Sequence, residues 1–198
     1  MKFDAGSLIG MAIQTVPEPR KVAREIFALR IERTVLWQAF ALLVVISTLM
    51  GLISSILFPV DPAMYGTVLS DPIRVGVLEA AVLVVGVFAI YSLGRVFGGE
   101  GRFDQAIMTV TWVQFVMLLI QGVMFVLLLF APILAGILWL AGSGIFFWIL
   151  SHFVAEMHGF KSTGLVFAMI LISLMATIFG VSLIFALMGV GSGAMGAI

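Results

Sequence analysis

The sequence predicts an all-α polytopic integral membrane protein, a bundle of five transmembrane helices preceded by amphipathic surface helices. Three observations predict this class. Hydrophobic residues make up 63% of the 198 residues and charged residues only 10%, whereas a soluble domain carries roughly 25% charged residues. Five apolar runs are each long enough for a helix to cross a hydrocarbon core of ~30 Å. The basic residues lie almost entirely on one side of the membrane that these runs define.

The five apolar runs define the order of the elements. Strands explain them poorly, because the runs are too long and lack the alternation of a membrane barrel. Only Ala131 and Pro132 separate the third and fourth runs, which predicts a tight antiparallel hairpin. The predicted spans cover about residues 35–58, 73–97, 105–130, 133–154 and 163–188, within a membrane domain of residues 35–188. The glycine-rich tail, residues 189–198, is expected to be flexible.

The placement of the charges predicts the orientation. All but one of the ten basic residues precede span one, lie between spans two and three, or lie between spans four and five. Arg74 is the exception. Under the positive-inside rule the N-terminus is therefore cytoplasmic and the C-terminus outside. No signal peptide is expected in the first thirty residues, since they have no compact apolar core followed by a small-residue cleavage site. The composition fits a multi-pass protein of a bacterial inner membrane.

Residues 1–34 form a cytoplasmic segment with two amphipathic stripes. Leu8, Ala12 and neighbouring apolar residues recur at helical spacing before Pro17. Val22 and Ile26 repeat the pattern after Pro19, opposite basic residues. Helices of this kind lie on a membrane surface with the apolar face in the lipid. We therefore expect a membrane-surface support for the bundle, with docking of a protein partner as the alternative.

A stretch between spans two and three, LGRVFGGEGRFDQA, is rich in glycine and charge. A phosphate-binding loop would need Lys-Ser/Thr after the second glycine of its pattern, but Glu100 and Gly101 stand there. The dinucleotide pattern also fails. The stretch fits a hinge between two membrane helices better: Gly98 or Gly99 ends span two with positive φ, and Asp104 caps span three.

The same stretch resembles a known family. Its residues Arg95, Gly98, Gly99, Gly101, Phe103 and Gln105, followed by Thr-Trp-Val-Gln ending at Gln114, resemble the loop after the second span in bacterial members of the Yip-one family. Residues 17–20 and 148–160 are similar as well. The family consists of five-span membrane proteins named for their interaction with Ypt/Rab GTPases, and its eukaryotic members are associated with vesicle traffic and membrane shaping.

This resemblance implies a fold more than a partner. The family's D-L-Y-G-P-type motif is absent, and the nearest string, residues 62–66, lies in the predicted outer loop. Binding of a Rab-type GTPase is therefore not expected. For the bacterial branch the resemblance implies no reaction.

Three residues with carboxyl or amide side chains lie well inside the apolar spans. Glu79 in span two is the one ionisable side chain well inside a span, and a charge there costs ~2.5–3.5 kcal/mol on the insertion scale. Counting helical rise from the span ends places Gln121 of span three within about one turn of it, with Gln114 on the same face as Gln121. This stripe predicts either hydrogen bonding between helices or a path for protons or small solutes.

His152, Glu156 and His158 form a polar cluster at the end of span four. The zinc pattern H-E-x-x-H is absent, so we expect no metal there and instead pairing of this helix end with Arg95, Arg102 or Lys161. No cofactor, nucleic-acid site or catalytic triad is indicated, and we expect no enzymatic activity. The sequence favours a role in membrane organisation, as a scaffold or accessory subunit. Its partners are expected to be the lipid bilayer and either another membrane protein or a second copy. The alternative is a pathway through Glu79, Gln114 and Gln121.

Overall fold

The computed structural model describes residues 5–58 and 71–187, and this part of the chain is helical with no strand. The outer loop with residues 62–66 and the glycine-rich tail lie outside the described residues. The all-α class is therefore confirmed for the described chain. The helices are α1 (Ala5–Thr15), α2 (Pro19–Phe27), α3 (Arg33–Leu57), α4 (Pro72–Val96), α5 (Phe103–Phe130), α6 (Pro132–His158) and α7 (Thr163–Leu187).

Four helices, α3 to α6, are long and apolar enough to cross a membrane, with mean hydropathies between 2.1 and 2.5. Helix α7 is apolar as well, and Thr163–Ala176 is the part of it over which the structure describes the side chains continuously. The structure thus supports a multi-pass membrane protein, while a count of five spans stays a prediction. The fourth predicted span was expected to end at Val154, but α6 continues to His158. This extra turn carries the residues that organise one end of the bundle.

Local sequence signals explain where the membrane helices begin and end. The Asp71 side chain accepts a hydrogen bond from the backbone N–H of Ile73 at 2.9 Å and so caps α4. Pro132 opens α6 directly after Ala131, the single residue between α5 and α6. Because a proline at the first helical position loses no intrahelical bond, the turn is compatible with both helices. The predicted tight hairpin is thus observed.

The α5–α6 hairpin is the centre of the bundle. Helices α3 and α4 pack on α5 and on each other, and the described part of α7 packs on α6. The large fully buried side chains, among them Ile107, Ile149 and Phe153, lie toward one end of the hairpin. At its other end apolar side chains are exposed, and 82% of the surface of Phe130 is accessible to solvent. Such exposure is costly in water, so these surfaces fit a lipid environment.

The N-terminal helices pack onto the bundle. On α2, the apolar stripe formed by Val22, Ala23 and Ile26 is buried against protein. Helix α1 has one buried side and one open side, where Ile13 is 70% exposed. The expectation that both stripes face lipid is not confirmed: the stripe of α2 is covered because the last turns of α6 reach it. Only the open side of α1 remains free to contact a membrane.

Two indole hydrogen bonds tie α1 and the residue that follows it to the bundle. The indole N–H of Trp112 donates to the buried hydroxyl oxygen of Thr15 at 3.0 Å, and that hydroxyl donates to the carbonyl of Met11. The indole N–H of Trp148 donates to the carbonyl of Val16 at 3.0 Å. Because these tryptophans lie on α5 and α6, the N-terminal segment is tied to both halves of the central hairpin.

Candidate functional site

One end of the bundle collects α1, α2, the α4–α5 loop and the α6–α7 connection, and we call it the basic end. Three contacts between residues far apart in sequence join its parts. Arg20 donates to the carbonyl of Phe160 at 3.0 Å, and Arg24 pairs with Glu156 at 3.3 Å. The Arg33 guanidinium lies 2.7 Å from the Asp104 carboxylate. Exposed pairs contribute ~1 kcal/mol at most, so they fix positions more than they add stability.

At the corner between α1 and α2, Glu18 interacts with two nearby side chains. The amide of Gln14 donates to its carboxylate at 2.7 Å, and the Lys21 ammonium lies 3.0 Å away. The hydrogen bond from Gln14, followed by the bond and charge of Lys21, lowers the pKa of Glu18 below its ordinary 4.5. The carboxylate is therefore ionised at neutral pH and keeps both partners.

His158, the last residue of α6, is the buried centre of the basic end. Its side chain is only 3% exposed. The backbone N–H of Gly101 donates to Nδ1 at 3.1 Å, and Nε2 lies 3.0 Å from the carbonyl oxygen of Ile90. Since Nδ1 is an acceptor, Nε2 must carry the proton that it donates to Ile90. His158 thus joins the end of α4, the glycine-rich loop and α6 through a neutral imidazole.

The glycine-rich stretch fits closely around this imidazole. A Cβ built on Gly94 or Gly99 would overlap ring atoms of His158, and one on Gly101 would lie 2.6 Å from Cε1. Gly98 differs, because it has φ +84° and open space around it, and it provides the left-handed turn that ends α4. The hinge interpretation therefore describes the backbone. In addition, Gly94, Gly99 and Gly101 leave space for the ring of His158, and we call these three residues the glycine cradle.

The start of α5 differs from the expectation. Asp104 was expected to cap the helix, but α5 begins at Phe103 and the side-chain oxygen of Gln105 accepts from the backbone N–H of Arg102 at 2.9 Å. The capping prediction was therefore wrong. Asp104 lies in the first turn and its carboxylate instead binds the guanidinium of Arg33. Phe103 packs against Tyr91 of α4, with ring centroids 5.5 Å apart.

The polar cluster at the end of α6 is not one site. His158 lies inside the glycine cradle, while Glu156 pairs with Arg24 on α2 rather than with the expected Arg95, Arg102 or Lys161. His152 has its Nδ1 2.7 Å from the carbonyl of Trp148. The expected partners were wrong because α2, whose position the sequence does not give, covers this part of α6. In the residues that the structure describes, no group of three acidic or histidine side chains is arranged to hold a metal ion.

The intramembrane carboxyl group of Glu79 has hydrogen-bond partners on two neighbouring helices. Gln114 donates its amide N–H to Glu79 Oε1 at 2.7 Å. The hydroxyl of Ser47, on α3, lies 2.8 Å from the same oxygen. The nearer partner was expected to be Gln121, but the direct bond goes to Gln114, two turns closer to the start of α5. Ser47 was not expected as a partner of Glu79; a hydroxyl on one span and an acidic residue on the next span are the signal that would have identified it.

Gln121 contributes to the same region through a cavity. This cavity has a volume of about 460 Å³ and lies between α5 and α6, with Glu79 at one part of its wall. Gln114 and Gln121 line it from α5, and Trp139 and Ser143 line it from α6. The arrangement places a carboxyl group, two amides and aromatic rings around a space large enough for a small solute.

A second cavity, of about 480 Å³, lies at the basic end and we call it the junction pocket. It is lined by residues 27–32, which connect α2 to α3, and by Arg102, Asp104, Gln105 and Met108 from the start of α5. Both halves are held in place, by the Arg33–Asp104 pair and by the loop around His158. The pocket combines apolar side chains with charges of both signs, a mixture found at protein-binding surfaces.

An apolar helical bundle with a charged end built from its loops defines a multi-pass membrane protein. Among protein families, the model described as the Yip1 domain matches residues 13–184. The chain belongs to this family, the Yip-one family that the loop sequence resembles. No curated protein and no solved structure matches the chain. The matched range includes the glycine cradle, His158, Glu79 and the junction pocket.

Proposed function

We propose that this protein has a non-enzymatic role as a membrane scaffold or accessory subunit, and that its basic end faces the cytoplasm. The proposal includes five spans, an external C-terminus and a bacterial inner membrane. The distribution of basic residues supports the orientation. With α7 as the fifth span, an odd number of crossings places the two termini on opposite sides.

The junction pocket is the observation that carries this proposal. It is formed jointly by the N-terminal segment and by the loop region, and its position is fixed by hydrogen bonds and ion pairs on both sides. A preformed surface binds a partner with less ordering cost than a mobile one. The exposed Arg30 and Glu32 could pair with an acidic or a basic side chain of a protein segment, and an apolar side chain of the same segment could lie beside Met108.

Site-specific photo-crosslinking in native membranes tests this proposal. A photoreactive residue replaces Arg30 or Arg102 in the junction pocket, and a matched variant replaces Lys21, a basic residue of α2 outside the pocket. We expect the two pocket positions to crosslink the same protein and Lys21 to give no such product. A product that is equally abundant at all three positions, or no product at the pocket positions, contradicts the proposal.

The cavity beside Glu79 favours one second candidate, a proton or small-solute pathway. Intramembrane carboxyl groups are costly and often mark such pathways. Here the carboxyl group accepts hydrogen bonds from Ser47 and Gln114 and also borders an open cavity. The same bonds would also serve a purely structural role, which contributes ~0.6 kcal/mol per bond in membrane bundles.

Flux into proteoliposomes separates these two roles. A pathway predicts proton or solute flux that Glu79→Gln abolishes and that Glu156→Gln, a matched change at the basic end, leaves intact. Wild-type vesicles that are no leakier than empty ones would rule the pathway out.

A further inference from the structure

A long apolar groove runs between α4 and α7. Its volume is about 490 Å³, and α7 contributes one wall while packing on α6. Small residues of α4, Ala81, Gly86 and Ala89, leave the space open. The stretch from Ala81 to Phe97 is ~24 Å long at 1.5 Å per residue, which exceeds one leaflet of a hydrocarbon core of ~30 Å. The groove therefore spans the depth that one acyl chain occupies.

The groove ends at a basic corner. Phe160 lines the groove there. Arg20 donates hydrogen bonds to the carbonyls of Phe160 and Lys161 and to the hydroxyl of Thr163, at 3.0–3.2 Å. Lys161 is exposed and forms no ion pair within the described chain. Thr163 begins α7, whose N-terminal end adds a partial positive charge. None of the described residues that line the groove is acidic, and Glu156, one turn before Phe160, pairs with Arg24.

We propose that this groove holds an acyl chain of an anionic phospholipid whose headgroup lies against Arg20 and Lys161. The groove wall has almost no polar surface, so water inside it would find few hydrogen-bond partners. A hydrocarbon chain fits that wall, and a phosphate at the basic corner is attracted by two cations and a helix N-terminus. The site is independent of the junction pocket and of the scaffold role.

Native mass spectrometry of the full-length protein, exchanged into phosphatidylglycerol or into phosphatidylcholine with the same acyl chains, tests the proposal. We expect one retained phosphatidylglycerol and weaker retention of phosphatidylcholine. Lys161→Gln should lower phosphatidylglycerol retention about fivefold, which corresponds to ~1 kcal/mol per basic residue. Arg74→Gln removes an equal charge at the other end of α4, away from the groove and from the junction pocket, and should leave retention unchanged.

A groove-filling variant tests the acyl-chain half of the site. A Cβ added at Gly86 meets no atom within 4 Å and Gly86 lines the groove, so the side chain of Gly86→Leu can enter the groove. We expect it to abolish retention of the lipid. Gly136→Leu, on α6 and equally open, is the matched control. Ala89→Leu provides a second groove-filling variant if Gly86→Leu unfolds at a lower temperature than the wild type.

Three results would overturn the proposal. The first is wild-type retention that is equal for the two lipids. The second is phosphatidylglycerol retention by the folded Gly86→Leu and Ala89→Leu variants that matches the wild type. The third is a wild-type dimer that both groove variants dissociate, because the groove would then hold a helix of a second copy.

Discussion

The packing of glycines around His158 predicts a strong effect of a single methyl group. Gly94 lies in the last turns of α4, where alanine would ordinarily stabilise a helix by ~1 kcal/mol. In this structure the new Cβ would overlap three atoms of the His158 ring. The ring is held at both nitrogens, by the Gly101 N–H and the Ile90 carbonyl. It therefore cannot move aside without breaking a buried hydrogen bond.

The expected change in the free energy of unfolding combines a gain in helix propensity with losses from overpacking and from a broken hydrogen bond. Overpacking costs ~1–3 kcal/mol, and a buried polar group that loses its partner costs ~1–3 kcal/mol more. After subtraction of the helix-propensity gain, Gly94→Ala should lower the free energy of unfolding by about 3 kcal/mol. Gly86→Ala, on the same helix but with open space at its Cβ, should be neutral or stabilise by up to ~1 kcal/mol.

Reversible unfolding in mixed detergent–SDS micelles measures both variants, and a double-mutant cycle with His158→Ala isolates the contact. Because the methyl group of Gly94→Ala fits the space that the imidazole vacates, the double variant should recover ~1–3 kcal/mol relative to additivity. If Gly94→Ala is as stable as Gly86→Ala, or if the two changes simply add, the imidazole does not lie against Gly94 and the cradle is refuted.

Three further predictions concern other contacts. Thr15→Val leaves the Trp112 indole without its buried acceptor, and should cost ~1–3 kcal/mol and speed proteolysis of the N-terminal segment, while Thr15→Ser should not. Gly76→Ala would push a methyl group into the Thr48 side chain and should destabilise by ~1–3 kcal/mol, an effect that a second change, Thr48→Ala, should relieve. The lowered pKa of Glu18 stabilises the folded state above the ordinary pKa of 4.5, and this contribution disappears as pH falls through the lowered value. The unfolding midpoints of wild type and Glu18→Gln should therefore differ at neutral pH and converge as the pH falls through the lowered pKa of Glu18; a difference that stays constant with pH would contradict this.

The bundle was predictable because its signals are local. An apolar run of sufficient length gives a membrane helix, and Pro132 gives the tight turn between α5 and α6. The contact between α4 and α5 at Glu79 was also predictable in kind, since an isolated acidic residue must find polar partners in a neighbouring span. Which residue of α5 bonds to Glu79 was not predictable. It depends on how far α4 and α5 are shifted along each other, and helical rise alone does not determine that shift.

The organisation of the basic end could not be derived from the sequence. A stripe such as Val22 and Ile26 predicts an apolar face, but lipid and protein cover such a face equally well. The pattern of glycines around Gly99 predicts a turn and does not reveal that a ring from His158, far along the chain, fills the space beside it. Both features depend on contacts between distant segments, and these follow from the packing of the whole bundle.

Extraction from native membranes into a polymer that retains lipid, followed by mass spectrometry, tests the proposed scaffold role most directly. The wild-type protein should retain a stoichiometric protein partner. Arg30→Ala together with Arg102→Ala, in the junction pocket, should release that partner while the protein stays folded, and Lys21→Ala should not. A clean homo-oligomer without a partner at any salt concentration would contradict the scaffold role, as would a partner that both pocket changes leave bound.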